Sequence, residues 1–257
     1  MSSFRPDAYD VVLFDMDGVV LESPGIDPAI RSRALDNVLD DRGLAVPSAL
    51  RERLERDAYD EAFRAACEEL AVDPGPLFRA REERSAERAI ERLATGARRL
   101  HRDVEALDAL SDRATLGLVS NNYHPTVEFV VDHFRLDTFA FVRGRDPGPD
   151  GFRRRKPNPH YLDEALNALD TTDGIYVGDR ATDVLTAERA GIDSAFLRRD
   201  HNADRDLSVE PTVEIESLRD LLDIPDASPS DAPATRSDPA GSSDSQTDRG
   251  RSSGSSE

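Results

Sequence analysis

Alternating apolar runs and amphipathic stretches predict an α/β fold, a parallel sheet with helices on both faces and a helical segment inserted after the first strand. Three observations lead there. Val11-Val12-Leu13-Phe14 is an unbroken apolar run, as a strand buried on both faces requires, and similar runs recur at 116–119, 139–142, 175–177 and 195–197. Helical periodicity fills the later gaps, over 97–112, 125–134, 159–169 and 181–190. Between residues 22 and 94 no strand-like run occurs, only charged helical segments such as 49–70 and 77–93.

Each element has its punctuation. Pro125 and Pro159 stand where first-turn prolines belong, and Gly191 where a helix stops. In the insert, Gly25, Pro28, Gly43 and Pro47 mark turns, and Asp73-Pro74-Gly75-Pro76 separates the long helices. The expected organisation is a core of residues 1–21 and 95–225, a helical cap of 22–94, and a tail of 226–257. That tail holds ten Ser and no Val, Ile, Leu, Met or aromatic residue, so it is read as disordered. An insert leaving the carboxyl end of a strand overhangs the place where open α/β sheets bind ligands.

Composition narrows the function. The 257 residues carry a net charge of −19, a poor match for a nucleic-acid phosphate backbone, so no nucleic-acid partner is expected. No apolar run approaches the ~18 residues of a membrane span and no leader pattern is visible, so no membrane partner is expected either. The single cysteine, Cys67, cannot form an internal disulfide and suits a reducing cytoplasm. Of 33 basic residues 32 are Arg, and Asp outnumbers Glu by 34 to 18. An acidic, Lys-poor surface suits a very salty cytosol, where screening lengths shrink to ~3 Å; a GC-rich genome would also favour Arg. Under either cause the lone lysine, Lys156, holds a place where Arg was not substituted.

Four polar stations follow or flank the apolar runs. Asp15-Met16-Asp17-Gly18 leaves the first strand; D-x-D pairs arise by chance in so Asp-rich a chain, but this one directly follows a buried strand and is closed by Gly. Two like charges leaving such a strand repel unless a cation lies between them, and a hard divalent ion, Mg²⁺, fits oxygen ligands. Ser120-Asn121-Asn122 ends another run and reads either as a cap for the helix near Pro125 or as a phosphate cradle. Lys156, in Arg155-Lys156-Pro157, reads as a solvated loop charge or as a compact ammonium able to meet both a carboxylate and a phosphoryl oxygen. Gly178-Asp179 follows a further run, with Asp183 one helical turn beyond; Asp179 is either an N-cap or part of the metal's acidic ring.

Together, Asp15-Met16-Asp17-Gly18-Val19, Ser120-Asn121, Lys156-Pro157 and Gly178-Asp179 through Asp183 resemble the four motifs of the haloacid dehalogenase-like hydrolase superfamily. The likeness is to its phosphatases with a helical cap after the first strand, of the phosphoglycolate phosphatase kind, and covers roughly residues 10–200. Val19 replaces the threonine common after D-x-D-G, a departure that leaves the acids untouched. The resemblance implies a Rossmann-like parallel sheet, in agreement with the alternation above, with Asp15 as the nucleophile and Asp17 as the general acid and base. It further implies that Asp15, Asp179 and the Asp17 carbonyl hold Mg²⁺, that Ser120, the Asn121 N–H and Lys156 bind the phosphoryl oxygens, and that Asp183 supports the site. The expected partner is a small phosphorylated metabolite.

Asp17 argues for phosphate transfer over dehalogenation, which needs no leaving-group acid. A phosphomutase shares the same acids, and a phospho-accepting receiver shares Asp, Mg²⁺, a hydroxyl and Lys, though not an insert of this length. Arg31, Arg33 and Arg56 could meet a second anionic group or lie on solvated helix faces. The five histidines are scattered and carry no expected role, and the oligomeric state is left open. The reading requires Asp179 and Lys156 to come within about 10 Å of Asp15.

Overall fold

The structure is a computed structural model that describes residues 9–22 and 27–223. The tail expected at 226–257 and the turn marker Gly25 lie outside the described residues. Six strands, β1 (Val11–Phe14), β2 (Thr115–Tyr123), β3 (Phe139–Arg145), β4 (Gly174–Gly178), β5 (Asp193–Leu197) and β6 (Val213–Ile215), form one parallel sheet in the order β3-β2-β1-β4-β5-β6. The order reverses at β1, and in open α/β sheets ligands are received in the crevice outside the carboxyl ends of the strands at such a switch point.

Strand β1 is central, and all four of its residues are buried. Val12 and Phe14 join one apolar cluster with Leu116, Leu118, Ile175 and Val177; Val11 and Leu13 join another with Tyr161, Leu162, Ala165 and Ala187. Period-two alternation into two buried faces is why the strand reads as a continuous apolar run. The helices that cover the faces include α5 (Ala106–Ser111), α6 (His124–Phe134), α8 (His160–Ala168) and α9 (Ala181–Ala190). Helix α9 ends at Gly191 with φ +74, the left-handed stop its sequence signals.

After β1 come four helices, α1 (Pro28–Asp41), α2 (Ser48–Glu55), α3 (Glu61–Glu69) and α4 (Pro74–Ala94), which share an apolar cluster of their own that includes Leu35, Leu54, Phe63, Cys67 and Phe78. The single helical segment expected at 49–70 is two helices. Buried Arg81 of α4 donates to the carbonyls of Leu54 and Arg56, ending α2, and the Asp60 carboxylate accepts from the Phe63 N–H at 3.0 Å, starting α3. Asp73-Pro74-Gly75-Pro76 separates α3 from α4 by opening the latter: Asp73 accepts from the Gly75 N–H at 3.0 Å and Pro74 occupies the first turn.

The helix expected at 97–112 begins late. Leu100 instead pairs antiparallel with Leu21, and the Glu22 N–H donates to the Arg99 carbonyl at 2.8 Å, so the chain returns from the helical insert beside its own exit. A 3₁₀ turn at Arg102–Glu105 then leads into α5. Three short elements were not foreseen: α7 (Pro149–Arg154), β6 and α10 (Asp220–Asp223). The insert is tied to the sheet by a buried ion pair, Arg145 of β3 donating to both carboxylate oxygens of Glu82 of α4 at 3.0 and 2.6 Å. No described helix is long and apolar enough to cross a membrane.

Candidate active site

The polypeptide reverses immediately after β1. The N–H groups of Val19, Val20 and Leu21 all point to the Met16 carbonyl, and Gly18 donates to the Leu21 carbonyl at 2.8 Å. Gly18 has φ +87, and a Cβ there would stand 2.2 Å from Asp179 Oδ2. Glycine is thus required twice, for the backbone angle and for the space the second carboxylate occupies. Asp15 at the end of β1 is locked to β4 by its N–H, which donates to the Val177 carbonyl at 2.9 Å.

Asp15, Asp179 and Asp183 offer carboxylate oxygens that all lie within 4.8 Å of one another, and all three residues are buried. Lys156 reaches the same point from the loop before α8. Its ammonium lies 3.0 Å from Asp15 Oδ1 and 2.7 Å from Asp183 Oδ1, and it donates to the Tyr176 hydroxyl at 2.7 Å, which in turn donates to the Val119 carbonyl at 2.7 Å. Lys156 is only 6% exposed, which excludes the solvated-loop reading. The separation expected to stay under about 10 Å is therefore met with room to spare.

Asp17 faces another way. Its Oδ2 accepts from the Asn122 amide at 2.9 Å and its Oδ1 lies 2.7 Å from the Arg98 guanidinium, which comes from the chain returning out of the insert. The two carboxylates of the D-x-D pair thus have different surroundings: Asp15 belongs to the acidic group and Asp17 stands apart, within hydrogen-bond reach of an amide and a guanidinium. Ser120 is buried within β2, three residues before its end, where its Oγ accepts from the Asn122 N–H at 3.3 Å. The Asn121 side chain binds the Lys156 backbone, accepting from its N–H at 2.8 Å and donating to its carbonyl at 3.4 Å. Its side chain therefore fixes the lysine loop, an arrangement additional to the backbone role expected of Asn121.

Charge in the cluster is unbalanced. Three carboxylates face one ammonium, with Arg180 Nε a further 3.7 Å from Asp179 Oδ1. Burial, and then the neighbouring Asp15 carboxylate, raise the pKa of Asp179 against the opposing pull of Arg180 and His201. Burial likewise raises Asp183, with Lys156 opposing and Asp15 and Asp179 adding to the rise. Burial alone would lower the Lys156 ammonium, but Asp15 and Asp183 outweigh it and the net shift is upward. Asp15 Oδ1 and Asp183 Oδ1 share the single Lys156 ammonium, and Asp179 Oδ1 is buried without a hydrogen bond. Buried, hard oxygen donors with excess negative charge and unsatisfied lone pairs are what a divalent cation such as Mg²⁺ satisfies, so the donor set fits that ion.

Several participants were not singled out from the sequence. His201 Nε2 lies 2.6 Å from Asp179 Oδ2, and Asn202 donates to the Asp179 carbonyl at 2.8 Å; both come from the loop after β5, which carries no motif. Arg98, one partner of Asp17, is equally silent in sequence, while Asn122, the other, belongs to the Ser120-Asn121-Asn122 station but its contact with Asp17 was not foreseen. Tyr176 had a signal, since a hydroxyl in the middle of a fully buried strand needs a partner.

The chain matches the model of the haloacid dehalogenase-like hydrolases over residues 9–191, and it belongs to that family. Among curated relatives, a phosphoglycolate phosphatase of Vibrio vulnificus is 28% identical over 227 residues, 83% of this chain and 95% of that protein. Phosphoglycolate phosphatase 1 of Pseudomonas aeruginosa is 32% identical over 115 residues, 43% of this chain and 41% of that protein, so against this relative the match spans about two fifths of its length. Solved structures share the fold: CbbY from Rhodobacter sphaeroides in complex with phosphate has a TM-score of 0.54 at 20% identity, covering 81% of this chain and 94% of that one. A HAD-superfamily hydrolase from Geobacter sulfurreducens of subfamily IA has a TM-score of 0.51 at 20% identity, covering 84% and 99%.

Proposed function

We propose that this hydrolase is a Mg²⁺-dependent phosphatase that cleaves a small phosphate monoester through an aspartyl-phosphate on Asp15. The observation that carries the proposal is the charge arrangement at the carboxyl ends of β1 and β4: a buried carboxylate, Asp15, with an ammonium at 3.0 Å and two further acids beside it, while Asp17 stands apart. Phosphoglycolate phosphatase relatives across most of the chain make 2-phosphoglycolate the first substrate to test.

In the first step a carboxylate oxygen of Asp15 forms a bond to phosphorus and the bond to the leaving oxygen breaks, with Asp17 delivering the proton that oxygen needs. In the second step Asp17 takes a proton from the water that attacks the acyl phosphate, releasing phosphate and restoring Asp15. Lys156 and the Ser120 hydroxyl hold phosphoryl oxygens, and Asn121 keeps the lysine loop in place. Asp15, Asp179 and the Asp17 carbonyl would hold Mg²⁺, with Asp183 in support; the ion supplies positive charge against the repulsion between carboxylate and phosphate. Arg98 and Asn122 orient Asp17. The helical insert, residues 22–94, acts as the cap: it contributes Arg31 and Asp57 to a cavity of about 510 Å³ that is also lined by Asp17, Asn121 and Lys156.

The test is steady-state release of phosphate from 2-phosphoglycolate and a panel of phosphorylated metabolites with Mg²⁺ at low and at molar KCl. Multiple turnovers abolished by Asp15→Asn are expected. Labelling of at most one phosphate per chain without release would instead identify a receiver, and conversion of one phosphate ester to its isomer a phosphomutase.

A further inference from the structure

The cavity lined by Asp17, Asn121 and Lys156 also carries guanidinium groups. Arg31 of α1 and Arg155, the residue before Lys156, both line it, together with Arg145. The three guanidiniums differ in what neutralises them. Arg145 is held by both oxygens of Glu82, and its ring partner Tyr123 lies 4.6 Å from its guanidinium carbon. Arg31 is paired with Asp57 at 2.7 Å, but that carboxylate is about half exposed and belongs to the break between α2 and α3.

Arg155 makes no ion pair among the described residues. Its guanidinium carbon stacks 3.8 Å over the Phe152 ring, and its hydrogen bond is a long one, 3.5 Å, to the Asp57 backbone carbonyl. Burial, and the like charges of Arg145 and Arg31, lower its pKa, with Asp57 and Glu82 opposing. A half-buried guanidinium, fixed in direction by an aromatic plane and short of an acidic partner, is prepared to receive an anion. Arg155 and Lys156 are consecutive, and both line this one cavity.

We propose that Arg155, assisted by Arg31, is the specificity-determining residue that receives a second anionic group on the leaving-group side of the substrate, a carboxylate in the first instance. The proposal rests on the phosphatase reading above, in which the phosphoryl group lies among Asp15, Ser120 and Lys156 and the leaving group projects toward the insert. Asp57 has the opposite effect: its carboxylate competes with the substrate's anion for Arg31 and repels it.

Two esters of nearly equal size test this, 2-phosphoglycolate and 2-hydroxyethyl phosphate, in which a neutral hydroxymethyl group replaces the carboxylate, assayed with Mg²⁺ on the full chain. For the unmodified enzyme, kcat/KM favours 2-phosphoglycolate. Arg155→Ala lowers that preference about 10- to 100-fold, the size of a charge-assisted hydrogen bond, and the loss appears in KM more than in kcat. Arg155→Lys restores part of it, and Asp57→Asn, which retains the backbone carbonyl, increases it through a lower KM for the anionic ester. Folding of each variant is checked by its thermal midpoint. A preference unchanged in Arg155→Ala, or unmodified enzyme that hydrolyses the two esters equally, overturns the inference and leaves the phosphatase reading standing. No hydrolysis of either ester, or of any member of the metabolite panel, overturns the phosphatase reading instead.

Discussion

Removing the Lys156 charge is the perturbation whose effect the geometry defines best. In Lys156→Met the side chain keeps its length and loses an ammonium that faces Asp15 at 3.0 Å, Asp183 at 2.7 Å and the Tyr176 hydroxyl at 2.7 Å. Breaking a buried ion pair by deleting one partner costs about 3–5 kcal/mol, because the other charge remains buried. Here two carboxylates lose their counter-charge, which places the expected cost at the top of that range without Mg²⁺. For a domain of this size each kcal/mol lowers the thermal midpoint by about 2–4 °C, so a fall of about 10–20 °C is expected. In the proposed site Mg²⁺ would supply positive charge to the same carboxylates and recover part of the loss, while phosphatase turnover should stay at least ~100-fold down because the proposed donor to the phosphoryl oxygens is gone. Lys156→Arg, too large and planar for this enclosed position, should also impair turnover despite its charge. Scanning calorimetry with and without Mg²⁺, beside the phosphate-release assay, reads all of these. A variant with an unchanged midpoint and full turnover would refute the role given to this lysine.

Four other perturbations follow from named contacts. Gly18→Ala puts a Cβ 2.2 Å from Asp179 Oδ2 at a left-handed backbone position, so we expect a less stable protein with weaker Mg²⁺ binding by isothermal titration. Because Asp179 and Asp183 have raised pKa values in the folded chain, their contribution is greatest below the ordinary carboxylate range near ~4 and is lost as pH rises through the raised values. The Mg²⁺-induced rise in thermal midpoint should therefore be larger at pH 7 than at pH 5, and an equal rise would contradict the site. Arg145→Met leaves Glu82 buried beside the Gly148 N–H, and about 3–5 kcal/mol of stability should be lost on denaturant unfolding. Burial holds the Cys67 thiol up at about 11, so a thiol reagent should label it only after unfolding.

The sheet was legible because β1 and β4 are buried on both faces, which leaves an unmistakable run of apolar residues. The site was legible for a related reason: a strand that ends in Asp at the switch of an open sheet can only deliver that side chain to one place, and Asp15 and Asp179 meet there. What the sequence hid was contact across long separations. Arg98 reaches Asp17 because Leu100 pairs with Leu21, a single bridge inside a stretch whose periodicity is helical. His201 reaches Asp179 from a loop with no pattern of its own. The break that exposes Asp57 is set by Arg81 from a helix some 25 residues on, and local propensity holds no record of it. Strand β6 is three residues long and half-buried, too short to carry a period.

The central claim is that Asp15 becomes transiently phosphorylated. Quenching the reaction of 2-phosphoglycolate or another turned-over ester within the first turnover, reducing the acyl phosphate with borohydride and sequencing the peptides by mass spectrometry reads this directly. We expect reduction at Asp15 alone, dependent on both substrate and Mg²⁺; phosphate release with no reduced residue, or with reduction at Asp17 or Asp179, would contradict it.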